Sequence, residues 1–197
     1  MTDCDEAVMV MQLPESVNKL VLVGFMGSGK SSVGREIARR WNLRFLDTDS
    51  MIRQKYAKSI PEIFATFGEP TFRAEESRCL EELQGSQQFV LSTGGGIVAQ
   101  PKNWPLLRSL GVVIWLTTSE TMIWERVSRN KSRPLLQTDD SRATIQALLA
   151  QRTPLYREVS DLTVETTGLT CVEVANRVLE TVGEWSANKN RDQCVGG

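Results

Sequence analysis

Residues 24–31 read GFMGSGKS and fill every fixed position of the phosphate-binding pattern G-x-x-x-x-G-K-[ST]. The apolar run at residues 20–23 predicts a short buried strand before this stretch, and apolar residues at helical spacing from Val33 to Trp41 predict a helix after it. A strand, a glycine-rich turn and a helix therefore follow in order, as the motif requires. The alternative, a glycine-rich turn that only starts a helix, is disfavoured because the motif and both flanking elements are complete.

The chemistry of this loop points to a nucleoside triphosphate. Glycines at positions 24, 27 and 29 let the backbone wrap closely around an anion, with N–H groups and the positive end of the new helix directed at phosphate oxygens. Lys30 would reach the β- and γ-phosphates, and the hydroxyl of Ser31 would ligate Mg²⁺. ATP or GTP is therefore the expected ligand.

Composition limits the remaining possibilities. The chain has 197 residues, 23 Lys and Arg against 24 Asp and Glu, a net charge of −1 and no histidine. This length predicts a single domain, and a charge near zero provides no field for holding nucleic acid. Without histidine, catalysis must use carboxylates, Lys, Arg and a metal ion. The four cysteines are far apart, which favours a reducing compartment over zinc or disulfide chemistry.

The two ends of the chain predict a cytoplasmic protein with flexible termini. Residues 1–18 contain four acidic residues and no basic one, unlike signal and transit peptides, and are expected to be flexible. No run of about eighteen apolar residues is present, so no membrane span is expected. The polar stretch 186–197 is expected to be disordered, which leaves residues 19–185 as the folded domain.

Five short apolar runs alternate with helix-like stretches and predict the fold. The runs are residues 20–23, 43–46, 89–91, 112–116 and 162–164. The stretches between them mix charged and apolar residues at three-to-four spacing, which is typical of helices that cover a sheet. We expect a three-layer α/β/α domain with a five-stranded parallel sheet. Ligands bind beyond the carboxyl ends of such strands, where the loop, Asp47 and Ser92 should meet.

Two segments depart from this alternation. Residues 49–83 contain several short helical pieces punctuated by Pro61, Gly68 and Pro70, and are predicted to lie over the site as a substrate-binding segment. The polar residues 130–141 are predicted to be a mobile lid, because a lid must leave the core free to open. Both segments should therefore serve the site rather than the sheet.

Two carboxylates, Asp47 and Asp49, follow the second strand. Where a strand ends, carboxylates two residues apart can divide their roles, one toward Mg²⁺ and one toward an acceptor hydroxyl. The alternative for Asp49 is the N-cap of a helix that starts at Ser50. The residues alone leave both possibilities open.

Other candidates also have a plain structural alternative. Arg73 lies in a helical pattern and could be an ordinary surface residue. The glycines 94–96 indicate either a sharp turn or a close approach of the backbone to a ligand. Arg133 is a lone arginine in the predicted lid, and Arg152, which closes a predicted helix, could interact with the helix dipole. Taken one at a time, these residues do not fix a function.

Taken together, the motifs resemble the shikimate kinase family from about residue 20 to residue 185. The ordered set is GFMGSGKS, DTD, FRAEE, TGGG, RPLL and RTPLYR. The resemblance implies a P-loop, nucleoside-monophosphate-kinase-like fold. It also implies an enzyme, a kinase that uses Mg²⁺ to transfer the γ-phosphate of ATP to the 3-hydroxyl of shikimate. The products would be ADP and shikimate 3-phosphate, in the chorismate route to aromatic amino acids.

The resemblance also assigns roles to individual residues. It implies ATP binding by Gly27, Ser28, Gly29, Lys30, Ser31, Ser32, Arg126 and Arg133. It implies shikimate binding by Asp49, Arg73, Gly94, Gly95, Gly96 and Arg152, binding of one Mg²⁺ by Ser31 and Asp47, and catalysis by Lys30, Asp49 and Arg133. The two pocket arginines would hold the shikimate carboxylate, and the three glycines would present backbone N–H groups. Phe64 and Phe72 could form apolar walls. Glu76 could orient Arg73, with charge pairing on a helix surface as the alternative.

Two other functions stay open. A gluconate-type or other small-metabolite kinase would use the same phosphate and metal residues, but it leaves Arg73, Arg152 and the three glycines unexplained. A catalytically silent nucleotide-binding interaction protein of this fold is disfavoured because Asp49, Arg73 and Arg133 are all present. The expected binding partners are ATP and shikimate. The protein is expected to be a monomer.

Overall fold

Strands and helices alternate along the chain in the computed structural model, which describes residue 14, residues 17–128 and residues 141–195. The strands are β1 (Lys19–Val23), β2 (Arg44–Asp47), β3 (Phe89–Ser92), β4 (Val112–Thr117) and β5 (Leu162–Glu165). The helices are α1 (Lys30–Trp41), α2 (Thr48–Tyr56), α3 (Ile60–Glu82), α4 (Asn103–Leu110), α5 (Glu120–Ser128), α6 (Ser141–Val159) and α7 (Cys171–Val195), and a short 3-10 helix spans Ile97–Ala99. The predicted strands are confirmed to within one residue at each end.

The five strands form one parallel sheet in the order β2-β3-β1-β4-β5. This order places β1, which leads into the phosphate loop, between β3 and β4. At the carboxyl ends of the strands, Ser92 of β3 is in register with Asp47 of β2 on one side and with Leu22 of β1 on the other. Because the strands all run in the same direction, the loops that follow them meet at one edge of the sheet, as predicted.

Helices cover both faces of this sheet. In β1, Val21 and Val23 belong to an apolar cluster shared with α3, α4, α5 and α6, whereas Leu20 and Leu22 belong to a second cluster shared with α1 and α7. Successive residues of a strand point to opposite faces, so the alternation shows that β1 is buried on both sides. The predicted three-layer architecture is confirmed.

Residues 49–83 form two helices, α2 and α3, in agreement with the predicted interruption of the alternation. A capping box begins α3, since the Ser59 side chain accepts from the N–H of Glu62 and the Glu62 carboxylate accepts from the N–H of Ser59. The predicted interruption at Gly68 is a bend within α3, where this residue has φ 78° and ψ 164°. Pro70 falls in the first turn after the bend, where its missing N–H breaks no helical hydrogen bond.

The prediction of a disordered tail is wrong as far as Val195. Helix α7 continues to that residue, so residues 186–195 are helical. Ser186 is buried, and the ammonium of Lys189 lies 4.7 Å from the centre of the Trp185 ring. The buried Ser186 places the start of this stretch against the domain, while the Lys189–Trp185 contact joins residues four apart within α7 itself.

The two other predicted boundary segments are mostly outside the described residues. At the end of the predicted flexible segment 1–18, Val17 is buried and its N–H donates to the carbonyl of Pro14, so flexibility is wrong for Val17. The predicted lid 130–141 lies outside the described residues except for Ser141, where α6 begins. Among the helices that the structure describes, none combines the length and the apolar character needed to cross a membrane.

Candidate active site

The phosphate loop joins β1 to α1 in the predicted conformation. Gly24 has φ 146°, and a Cβ there would lie 2.4 Å from the carbonyl oxygen of Leu116, so this position requires glycine. Gly29 is the N-cap of α1, with φ 94° and no side-chain hydrogen bond to the first turn. The first N–H groups of α1 therefore lack a side-chain cap, and the positive end of the helix dipole is directed at the loop. This is the geometry of an anion site.

Lys30, near the end of the phosphate loop, is buried against the backbone of the same loop. Its Nζ donates to the carbonyl oxygens of Gly24 at 2.8 Å and Phe25 at 2.9 Å. The ammonium is therefore held over the centre of the loop rather than extended into solvent. A positive charge fixed there can contact phosphate oxygens bound by the loop amides.

Three polar side chains meet where β2 and β3 end. Ser31 Oγ donates to Asp47 Oδ2 at 2.8 Å and lies 3.1 Å from Ser92 Oγ. The other oxygen of Asp47 accepts from the N–H of Ser50 at 2.9 Å, so Asp47 is the N-cap of α2. The alternative that Asp49 caps this helix is wrong, because α2 begins at Thr48. A hydroxyl and a carboxylate this close together supply the hard oxygen ligands that suit Mg²⁺.

Arg126 reaches the phosphate loop from α5. Its Nη1 donates to the carbonyl oxygen of Gly27 at 2.8 Å. Both residues line a cavity of about 400 Å³, whose other walls are Ser28, Gly29, Lys30, Ser31, Ser32, Val33, Thr166, Leu169, Cys171 and Val174. The structure thus brings together the described members of the predicted ATP set. Arg133, the remaining member, lies outside the described residues.

A second cavity, of about 330 Å³, adjoins Ser31 and Asp47; we call it the acceptor pocket. It is lined by the six predicted acceptor residues, Asp49, Arg73, Gly94, Gly95, Gly96 and Arg152. Phe64 and Phe72 form an apolar wall, with ring centres 4.9 Å apart. Residues from α2, α3, α6 and the loop after β3 are therefore assembled in one place.

Arg73 is buried at the base of the acceptor pocket, and its interpretation as a surface residue is wrong. Its Nη1 donates to Glu76 Oε2 at 2.7 Å, while Nε and Nη2 both donate to Glu69 Oε1, at 3.0 and 2.8 Å. The guanidinium lies against Gly96, where a Cβ would be 2.3 Å from Nη1. The close approach explains this glycine, and the two carboxylates hold the guanidinium in one orientation.

Arg152 lies in the interior of α6. The helix continues to Val159, two turns further, so the suggestion that Arg152 interacts with the end of the helix dipole is wrong. Its Nη1 donates to the carbonyl oxygen of Gly95 at 3.2 Å, and its buried Nε has no hydrogen-bond partner among the described residues. Within that part of the chain Arg152 makes no ion pair, and it is therefore available to an anion.

The three glycines do not all present N–H groups to the pocket. The N–H of Gly94 donates to Thr48 Oγ1 at 2.8 Å, which corrects the expectation that it is open to a ligand. The carbonyl of Gly95 accepts from Arg152 and from the hydroxyl of Tyr156, which is buried and has a raised pKa because burial disfavours its anion. Part of the backbone here positions side chains.

Glu76 is fully buried, so its interpretation as a charge on a helix surface is wrong. The pKa of this carboxyl is raised to about 7, mainly because the group is buried and also because the carboxylate of Asp49 is near, while Arg73 and Arg152 lower it. The ion pair with Arg73 supports the predicted orienting role. The protonated, neutral form of the Glu76 carboxyl is thus easily reached at physiological pH.

Several contributing residues were not predicted from the sequence. Glu69 and Thr48 bond directly to predicted site residues, and Tyr156 shares a carbonyl with one. Ser92 was expected at this edge of the sheet but was given no role. The RTPLYR motif contains Tyr156, and the residues FRAEE follow shortly after Glu69, so a signal existed for both.

Comparisons with known proteins agree with this geometry. A family model described as shikimate kinase matches residues 26–183. The shikimate kinase of Halorhodospira halophila (strain DSM 244 / SL1) is 47% identical over 165 residues, covering 84% of this chain and 93% of that protein. The solved structure of shikimate kinase from Acinetobacter baumannii in complex with shikimate has a TM-score of 0.83 and 38% identity, covering 86% of this chain and 95% of that one.

A more distant structural relative shows how far the fold extends. The crystal structure of a gluconokinase from Sinorhizobium meliloti 1021 has a TM-score of 0.57 and 18% identity, covering 89% of this chain and 97% of that one. At this identity the likeness concerns the fold alone. The family model and the identity to curated relatives are specific, and they show that the chain belongs to the shikimate kinase family.

Proposed function

We propose that this protein transfers the γ-phosphate of ATP to the 3-hydroxyl of shikimate, giving ADP and shikimate 3-phosphate. The observation that carries the proposal is the acceptor pocket, where Asp49, Arg73 and Arg152 line one cavity beside the phosphate loop. Shikimate bears a carboxylate and ring hydroxyls, which suit guanidinium and carboxylate groups respectively. The relatives named above are shikimate kinases, and one was solved with shikimate bound.

The phosphate loop would bind the triphosphate of ATP. Its backbone N–H groups and the end of α1 attract phosphate oxygens, and the buried ammonium of Lys30 neutralises charge on the β- and γ-phosphates. Ser28 Oγ is buried and has no hydrogen-bond partner among the described residues, so it can donate to a phosphate oxygen. Arg126 adds a positive charge to the wall of this cavity.

Ser31 and Asp47 would hold one Mg²⁺ together with ATP, because their side chains offer two oxygen ligands 2.8 Å apart. When bound, the ion neutralises charge on the phosphates during transfer. Asp47 is fixed for this role by its capping bond to Ser50. Ser92 keeps the Ser31 hydroxyl next to the carboxylate.

At the acceptor end, Arg73 and Arg152 would hold the shikimate carboxylate. Arg73 has five N–H bonds and uses three of them on Glu69 and Glu76, which leaves two for a bidentate carboxylate. Asp49 would accept the proton of the reacting hydroxyl as general base. Arg133 would close onto the transferring phosphoryl group from the predicted lid.

A coupled assay of ADP release tests the proposal. With ATP and Mg²⁺, shikimate should stimulate ADP release, whereas gluconate and buffer alone should not. Stimulation by gluconate instead would favour a kinase for another small metabolite. No stimulation by either acceptor, with ATP still bound, would favour a catalytically silent nucleotide-binding protein.

Cytoplasmic location, a monomeric state and a place in aromatic amino-acid synthesis stay predictions. The oligomeric state can be measured by light scattering during gel filtration, where the monomer has a mass of 22.0 kDa. A stable dimer at assay concentrations would contradict the predicted monomer.

A further inference from the structure

Glu76 has one buried oxygen that does not contribute to holding Arg73 in place. Oε2 accepts from Arg73, whereas Oε1 is buried and has no hydrogen-bond partner among the described residues. A Cβ placed on Gly94 would lie 2.3 Å from this Oε1 and 2.8 Å from Asp49 Oδ1. The distance between Glu76 Oε1 and Asp49 Oδ1 is therefore no greater than the sum of these two distances. Two carboxylates this close to each other repel one another.

The surroundings of Glu76 contain two cations and one further anion. In the described part of the chain, the titratable groups that face it are Arg73 and Cys79 from α3, Asp49 from α2, and Arg152 and Tyr156 from α6. Burial raises the pKa of the Cys79 thiol and of the Tyr156 phenol, so both are neutral near pH 7. The two arginines are thus what favours the ionised form of Glu76.

These are also the two arginines that the proposed function assigns to the shikimate carboxylate. Arg73 already shares its guanidinium between Glu69 and Glu76. Once the arginines pair with a further carboxylate, their attraction for Glu76 is offset by a new negative charge in the same pocket. This change favours the protonated form of Glu76.

We propose that shikimate binds together with one proton, which Glu76 holds in the complex. The inference rests on the proposed function. The proton comes from solvent, and no bond of shikimate forms or breaks in this step. Protonation of Oε1 removes the repulsion across Gly94, while Oε2 still accepts from Arg73. Asp49 is then left as the charged carboxylate beside the acceptor hydroxyl, as a general base requires.

The sign of the pH dependence follows from linkage. Free Glu76 has a pKa of about 7, and bound acceptor raises it. Well below pH 7, where Glu76 is already neutral, shikimate binding is therefore accompanied by almost no proton uptake. Above pH 7, up to one proton is taken up for each shikimate bound. The affinity for shikimate should be highest in the protonated range and should fall above pH 7 by at most about tenfold per pH unit.

Calorimetry of shikimate binding in buffers of different ionisation enthalpy measures this proton directly. At about pH 8, the slope of observed enthalpy against buffer enthalpy should give about 0.5–1 proton taken up per shikimate. Glu76→Gln, which cannot take up the proton, should abolish both the uptake and the pH dependence of affinity. Glu69→Gln is the matched control, since it removes the other carboxylate on the same guanidinium and should keep the uptake.

Each of the following results contradicts the inference. Shikimate binding without proton uptake overturns this inference and leaves the proposed function intact. Uptake that persists in Glu76→Gln places the proton elsewhere and also overturns it. If Glu76→Gln does not fold, isotope-edited infrared spectra of wild-type protein with labelled glutamate replace it, and the absence of a protonated carboxyl band in the complex is the contradicting result. Failure of shikimate to bind, with no shikimate-dependent ADP release, removes the proposed function and this inference together.

Discussion

The phosphate loop and the acceptor pocket share one edge of the sheet but are built in opposite ways. The loop is a single continuous stretch, residues 24–31, whose anion site is made largely of backbone. The acceptor pocket gathers Asp49, Arg73 and Arg152 from three helices, over more than 100 residues of chain. The loop thus depends on local conformation, whereas the pocket depends on tertiary packing around buried charges.

This difference separates two kinds of defect. A change in the loop should impair the chemical step, because charge on the transferring phosphate loses a fixed counter-ion. A change in the pocket should impair acceptor binding, because a buried ion pair or hydrogen bond is lost. Variants of the loop and of the pocket therefore test whether the two regions have these separate roles.

Lys30→Ala should have the largest effect. Loss of the ammonium held over the loop should lower kcat by on the order of 10³-fold or more, while shikimate binding stays close to that of wild type. Steady-state kinetics measures the first quantity and calorimetry the second, with circular dichroism to check the fold. Wild-type turnover in this variant would remove the loop from the mechanism.

Asp49→Asn tests the residue nearest the boundary between the two regions. The amide has nearly the same shape but cannot accept the hydroxyl proton, so kcat should fall by on the order of 10²-fold, as for loss of a general base. The KM for shikimate should change much less. An unchanged kcat with a raised KM would mean that Asp49 only binds the acceptor.

Arg152→Ala should weaken shikimate binding by about 1.5–3 kcal/mol, as expected for loss of a hydrogen bond to a charged group. This arginine makes no ion pair with a described residue, so its loss leaves no buried carboxylate unpaired there. Arg73→Ala should weaken binding similarly and also destabilise the fold, because it leaves Glu76 buried without its partner. Thermal denaturation of the two variants distinguishes them, and equal melting temperatures would contradict the difference in pairing.

Gly96→Ala should have the smallest functional effect. A Cβ at this position would lie 2.3 Å from Arg73 Nη1, so the guanidinium must shift, and shikimate affinity should fall by about tenfold. Gly183→Ala in α7 is the matched control, because a Cβ there has no atom within 4 Å. The control should stabilise the helix by about 0.5–1 kcal/mol and leave affinity unchanged. Equal shikimate affinities of both variants would mean that Gly96 does not set the position of Arg73.

The same contrast explains what the sequence could predict. The loop, β1 and α1 were predicted completely, because their conformation follows from glycines and apolar residues within one stretch. The pocket residues were found through short motifs, but most of their partners were not. Tyr156 and Gly95, for example, are 61 residues apart, and no local pattern indicates that their hydroxyl and carbonyl meet.

Two errors concern features that local patterns do not reveal. Gly94 was expected to offer its N–H to a ligand, but Thr48 of a neighbouring helix accepts it, so a tertiary contact decides its role. The stretch after Trp185 looked disordered because it is polar, yet helix α7 runs on to Val195, and Ser186 at the start of the stretch is buried.

The most direct test of the division between loop and pocket is calorimetry of two ligands against two variants. Shikimate and a non-hydrolysable ATP analogue would each be titrated into Arg152→Ala and Lys30→Ala. We expect Arg152→Ala to lose shikimate affinity and keep that for the ATP analogue, and Lys30→Ala to show the reverse pattern. If Arg152→Ala binds shikimate as tightly as the wild-type protein, the acceptor pocket does not bind the acceptor, and the proposed substrate is wrong.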